Sequence, residues 1–207
     1  MNSPIYNMRP RRQSGIPDVV FALLIANGLL YAVERFFPNF VLFNFALWPL
    51  DSGRFYVWQL LTYGFLHDIN SLYHIGFNML GLWMFGRHVE PLMGPQRFIF
   101  YYLTCVIGAG LIQMIVAGVQ GGVYYTVGAS GGVMGILLAY AMAYPNQTIM
   151  LIFPPIPMKA KYFVALFALG SVYFGVSGGA GGVAHFAHLG GMLFGFILLQ
   201  YWKKPRR

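Results

Sequence analysis

Residues 127–144 read VGASGGVMGILLAYAMAY, and this run decides what kind of chain this is. It carries no charge. Four glycines and one serine crowd its first half, and Leu, Ile, Ala and Tyr fill the second. A stretch of that length and polarity suits hydrocarbon rather than water. Ser130 is then either a small residue that lets two helices touch, or a nucleophile held inside a membrane. The run alone leaves both readings open.

Working outward, the rest of the chain has the same character. It is 207 residues long, 58% hydrophobic and only 9% charged, against about 25% charged residues in soluble domains. These values describe an integral membrane protein. A spanning helix needs roughly 20 mostly apolar residues, and six apolar runs stand out, at about 17–36, 71–89, 97–118, 128–144, 160–177 and 183–202. The expected fold is all-α: one polytopic membrane domain over 17–202, a basic segment at 1–16 and a basic tail at 203–207. The first run is followed by ERFFPNF rather than a small-residue cleavage site, so it reads as a retained span and not a signal peptide. Cys105 is the single cysteine, which rules out an intramolecular disulfide.

Net charge is +8, but its placement argues against nucleic-acid binding. Arg9, Arg11 and Arg12 precede span 1, Arg87 and Arg97 flank the 2–3 loop, and Lys159 and Lys161 lie in the 4–5 loop. Lys203, Lys204, Arg206 and Arg207 follow span 6, leaving only Arg35 and Arg54 on the opposite side. The positive-inside rule therefore expects both termini in the cytoplasm. The extracytoplasmic stretch 36–58, FFPNFVLFNFALWPLDSGRFYVW, is broken by Pro38 and Pro49 and rich in aromatics. It reads as an interfacial loop partly sunk in the outer leaflet.

Polar groups inside spans are costly and are functional candidates by default. They are His74 and Asn78 in span 2, Ser130 at the start of span 4, and His185 and His188 in span 6. His88 and Glu90 sit at the cytoplasmic end of span 2, where water or Arg87 would satisfy them. Spans 2, 4 and 6 all run inward from the outer face. His74, Ser130 and His188 each lie within about five residues of the outer end, hence roughly 5–10 Å deep. Three helices thus deliver polar groups to one layer. His74 and Asn78 are four apart and share a face. His188, Gly191 and Gly195 share another, while Gly131 and Gly135 make a small-xxx-small pair after Ser130. Facing glycine stripes would let Ser130 reach His188.

Serine needs a base to take its proton, and imidazole suits that task. The five acids, Asp18, Glu34, Asp51, Asp68 and Glu90, fall at span ends or in loops, so a Ser-His dyad is more economical than a triad. Donors for an oxyanion are available in the Asn78 amide, the His74 ring N–H and the Ser130 backbone N–H. Two rival chemistries remain: a three-histidine metal site from His74, His185 and His188, and an ion or proton path, which would spread polar groups over several depths.

The ordered motifs WQLLTYGFLH (58–67), HIGFN (74–78), GRHVEPLMG (86–94), GASG (128–131) and AHLGGMLFG (187–195) resemble the rhomboid family of intramembrane serine proteases over nearly the whole chain. The resemblance implies a six-helix bundle, Ser130 as nucleophile and His188 as general base, His188 rather than His185 because glycines follow it at +3 and +7. His74 and Asn78 match the oxyanion-stabilising pair, and Gly128, Gly131, Gly135, Gly191 and Gly195 the close packing near the site. It further implies single-span transmembrane protein substrates, cut near the outer surface, and no metal or other cofactor. The short six-span form suggests a bacterial cytoplasmic membrane. Two positions depart from the family pattern: Gln59 stands where Arg often follows the tryptophan, and Met134 where an aromatic often packs on the histidine. The stretch 175–184, GVSGGAGGVA, has five glycines and no charge, which suggests that span 5 and this connector admit substrate.

Overall fold

The computed structural model describes residues 16–121, 124–150, 155–177 and 184–203. The basic residues Arg9, Arg11, Arg12, Lys204, Arg206 and Arg207, and most of the glycine-rich 175–184 connector, lie outside this set. Eight helices follow in chain order: α1 (Asp18–Phe36), α2 (Pro38–Phe45), α3 (Gln59–Thr62), α4 (Leu72–Met93), α5 (Pro95–Gln120), α6 (Ser130–Ala143), α7 (Ala160–Ser177) and α8 (His185–Lys203). A small antiparallel hairpin, β1 (Thr148–Met150) with β2 (Pro157–Lys159), joins α6 to α7 and pairs Thr148 with Lys159.

Local chemistry sets most of the boundaries. Pro38 and Pro95 stand at the first positions of α2 and α5, where a missing N–H costs nothing. Gly94, at φ +79°, turns the chain between α4 and α5. Pro17 provides no side-chain cap for α1. Instead the Glu90 carboxylate near the far end of α4 accepts the N–H groups of Val19 (3.1 Å) and Val20 (2.8 Å). The expectation that water or Arg87 satisfies Glu90 is corrected here: the orphan donors of a helix N-terminus are its partners.

Among the described residues, three helices are long and apolar enough to cross a membrane: α1, α5 over Pro95–Val119, and α7. α4 and α8 have the length, at 22 and 19 residues, but carry the polar groups noted above. α6 is apolar but has only 14 residues, about 21 Å of helix against a hydrocarbon core of about 30 Å. It has no polar face, and ten of its residues are buried. α6 is therefore the central post of the bundle, enclosed by its neighbours.

Glycines decide how tightly α5, α6 and α8 pack. The space a Gly191 side chain would need is filled by the backbone carbonyl of Gly131, and that of Gly135 by Cys105. Tyr101, fully buried, donates its hydroxyl to Gly135 O (2.8 Å) in the gap left by Gly195. α7 is the contrast, with only Ala160 and Ser171 buried.

The 36–58 stretch does not span. It forms α2 and a short 3-10 turn at Leu50–Ser52, exposing Phe36, Phe37, Phe40 and Phe43 while Ala46, Leu47 and Trp48 are buried. An antiparallel bridge between Leu47 and Thr126 ties it to the segment that leads into α6. Gln59, fully buried, accepts the Trp48 N–H (3.3 Å) and donates to Asn44 O (3.3 Å) and Arg54 O (3.0 Å). A glutamine thus satisfies this loop's backbone at the position where the family pattern has Arg.

Candidate active site

Ser130 is the first residue of α6 and His188 the fourth of α8. The Gly131–Gly191 contact draws the two backbones together just beyond these residues, and Ser130 Oγ and His188 Nε2 stand 2.9 Å apart. Both side chains are half-buried. His188 Nδ1 is buried and has no hydrogen-bond partner among the described residues. No carboxylate orients the ring, so the serine and imidazole form a pair rather than a triad. With the ring proton on Nδ1, Nε2 is free to accept the Oγ–H.

His74 enters from the first turn of α4. Its Nδ1 accepts the backbone N–H of Asp68 (3.1 Å), so Nε2 carries the proton and is a donor. Gly128 defines where that donor points. A side chain built on Gly128 would sit 2.9 Å from His74 Nε2 and 3.6 Å from Ser130 Oγ. The glycine therefore keeps open a space within reach of both the hydroxyl and the ring N–H. Its φ of +137° is itself glycine-like, and its N–H is held by Tyr63 O (3.0 Å). An oxygen that becomes negative in this space would meet the His74 N–H and the unpaired N–H groups at the head of α6.

Asn78 is buried one turn below His74, and its Nδ2 donates to His74 O (2.9 Å). That bond uses one of its two amide hydrogens. His185 takes no part in the Ser130–His188 hydrogen bond: its ring stacks on Phe174 of α7 (5.7 Å, 28°) and meets His188 edge-on (6.2 Å, 87°). Among the described residues, no three His, Cys, Asp or Glu side chains gather in the way a metal ion needs.

Sequence reasoning missed three contributors. The Asp68 N–H that orients His74 is a backbone group and leaves no trace in residue type. His67 is fully buried, with its ring 5.2 Å from that of His74; it belongs to the quoted WQLLTYGFLH motif but was not singled out. The ring that packs on His188 is Phe167 of α7, at 5.7 Å and 48°, whereas the family pattern points to position 134 of α6, here a methionine. An aromatic in an apolar span gives no signal of that contact.

Comparison with known proteins gives the family. Residues 54–204 match the family model described as "Rhomboid domain". The chain is 31% identical to "RHOMBOID-like protein 12, mitochondrial" of Arabidopsis thaliana, an alignment covering 91% of this chain and 60% of the relative. It is 26% identical to "Rhomboid protease GlpG" of Photorhabdus laumondii subsp. laumondii, covering 92% and 62%. With "Rhomboid protein 1, mitochondrial" of Saccharomyces cerevisiae the identity is 31%, covering 65% and 39%. The chain thus spans about 40 to 60% of the length of these curated relatives.

Proposed function

Since the chain belongs to the rhomboid family, we propose that it is an intramembrane serine endopeptidase working through a Ser130–His188 dyad. The observation that carries the reading is the 2.9 Å contact between Ser130 Oγ and His188 Nε2, beside the open space at Gly128 that His74 Nε2 faces. As Oγ attacks the scissile carbonyl carbon, its proton passes to His188 Nε2 and the carbonyl oxygen becomes an oxyanion. That oxygen occupies the space at Gly128, where His74 Nε2–H, the Ser130 N–H and the second hydrogen of the Asn78 amide serve as donors. Collapse breaks the C–N bond, and the Nε2 proton goes to the leaving amine. Water then repeats the sequence on the acyl-enzyme, giving its proton to His188 and freeing Ser130.

The substrates are single-span membrane proteins, reached by lateral entry past α7 from the surrounding lipid. Their bond is cut near the outer surface, at the depth set by the short α6. The arrangement is six-spanning, comprising α1 and α4 to α8, with residues 1–16 and 203–207 as basic cytoplasmic flanks. The charge distribution supports that orientation. We place the protein in a bacterial cytoplasmic membrane; two of the relatives above carry mitochondrial names, which makes localisation of a tagged full chain the direct check.

The test is labelling with a fluorophosphonate, in which Ser130 Oγ displaces fluoride from phosphorus and the serine proton passes to His188. Wild-type protein is expected to label, and Ser130→Ala and His188→Ala are not. Absence of Ser130-dependent labelling would overturn the protease reading in favour of a non-catalytic member that binds or escorts membrane helices.

A further inference from the structure

A dyad base must be aimed, and it must tolerate a positive charge when it takes the proton. His188 has one hydrogen bond, to Ser130, and nothing accepts from its Nδ1 among the described residues. Among the described residues, Ser130 is hydrogen-bonded to its ring, His185 of its own helix meets it edge-on, and Phe167 of α7 is the aromatic ring that reaches it from a third helix, with His74 of α4 also within electrostatic range.

Resting on the dyad reading above, we infer that Phe167 is the positioning residue for His188: its ring holds the imidazole toward Ser130 and faces the charge that Nδ1–H cannot pass to a carboxylate. An aromatic ring within about 6 Å of a cation attracts it through the negative potential of its face, and the Phe167–His188 separation of 5.7 Å lies inside that limit. Phe174, seven residues further along α7, stacks on His185 at the same 5.7 Å. Two phenylalanine–histidine rungs therefore fasten α7 to α8. Most of α7 is otherwise exposed, with Leu166, Leu169, Val172, Tyr173 and Val176 facing outward. Of the two rungs, the Phe167 one meets the imidazole that faces Ser130, and the Phe174 one meets only His185.

The test uses the purified full chain and the rate of Ser130 labelling by a fluorophosphonate, a probe too small to need entry past α7. Phe167→Leu keeps an apolar side chain but removes the ring, and is expected to slow labelling by between about twofold and thirtyfold. Phe167→Tyr is expected to restore the wild-type rate. Phe174→Leu, which loosens α7 at the other rung, is expected to leave the rate unchanged. A ring-fluorinated phenylalanine at position 167 keeps the shape while draining the ring face, and slowed labelling there supports the inference even if Phe167→Leu does not fold. Equal slowing in Phe167→Leu and Phe174→Leu overturns the inference, because α7 would then act through general packing. Wild-type rates in both Phe167→Leu and the fluorinated variant also overturn it. Both results leave the dyad standing, whereas a wild-type protein that does not label removes the dyad and this inference together.

Discussion

Gly191→Ala is the substitution that most sharply separates close packing from mere apolarity. A side chain at 191 would run into the Gly131 carbonyl oxygen, with the carbonyl carbon at 2.7 Å and the Gly131 Cα at 3.0 Å. These are backbone atoms, so nothing rotates out of the way. Ordinary contact for a Cβ begins near 3.4 Å, and because the carbonyl oxygen is nearer still than the carbon, the helices must separate by well over ~0.7 Å at this point. Ser130 is adjacent to Gly131, and His188 lies one turn before Gly191. Carried to the dyad, such a displacement takes the 2.9 Å contact beyond roughly 3.6 Å, where a hydrogen bond no longer holds. Overpacking of this kind costs about 1–3 kcal/mol, which a bundle can survive. A misplacement near 1 Å at reacting groups costs about a hundredfold in rate. Gly191→Ala is therefore expected to remain folded, with a lower melting temperature, and to lose most of its fluorophosphonate labelling. Gly170→Ala is the control, since nothing lies within 4 Å of that position. A folded Gly191→Ala protein that labels within twofold of wild type would refute the reasoning.

Gly128→Ala should silence labelling for a different reason: its Cβ fills the space beside His74 Nε2, and φ +137° adds backbone strain of about 1–3 kcal/mol. Labelling that survives in the folded variant would locate the oxyanion elsewhere. Glu90→Ala removes the acceptor of the Val19 and Val20 N–H groups and should lower thermal stability by about 1.5–3 kcal/mol, with Glu90→Gln falling between; an unchanged melting temperature would count against the cap. His67, in the loop before α4, is pushed from 6.5 down to about 3 by burial first and the neighbouring His74 second, partly offset by a backbone hydrogen bond at Phe65. Between those values the unfolded chain binds a proton that the folded chain does not, so stability is full above pH 6.5 and falls as pH drops toward 3. The slope from this group is at most about 1.4 kcal/mol per pH unit. His67→Phe should flatten the acid side of a melting-temperature profile; parallel profiles would show that His67 does not titrate in this way.

Why the fold was largely legible lies in the bilayer, which forces long uncharged runs to be helices. All six apolar runs correspond to helices, with ends displaced by no more than about four residues. The candidate residues were legible as polar groups in apolar runs, and three helices bring His74, Ser130 and His188 near one another. What stayed hidden has no residue-type signature. The Asp68 N–H on His74 is backbone, and the Glu90 cap depends on α4 and α1 meeting at one end. Phe167 is one apolar residue among many, and only the placement of α7 against α8 puts it over His188. The family pattern points to an aromatic on the serine's own helix, where this chain has Met134, whereas the ring contact comes from a different one.

The most direct measurement is cleavage of a single-span reporter by the full chain in liposomes, with the product's new terminus mapped by mass spectrometry. The wild-type protein is predicted to cut near the outer end of the reporter's span. Ser130→Ala and His188→Ala are predicted to give no product, while His185→Ala still cuts. Undiminished product from Ser130→Ala, or loss with His185→Ala but not His188→Ala, would contradict the account.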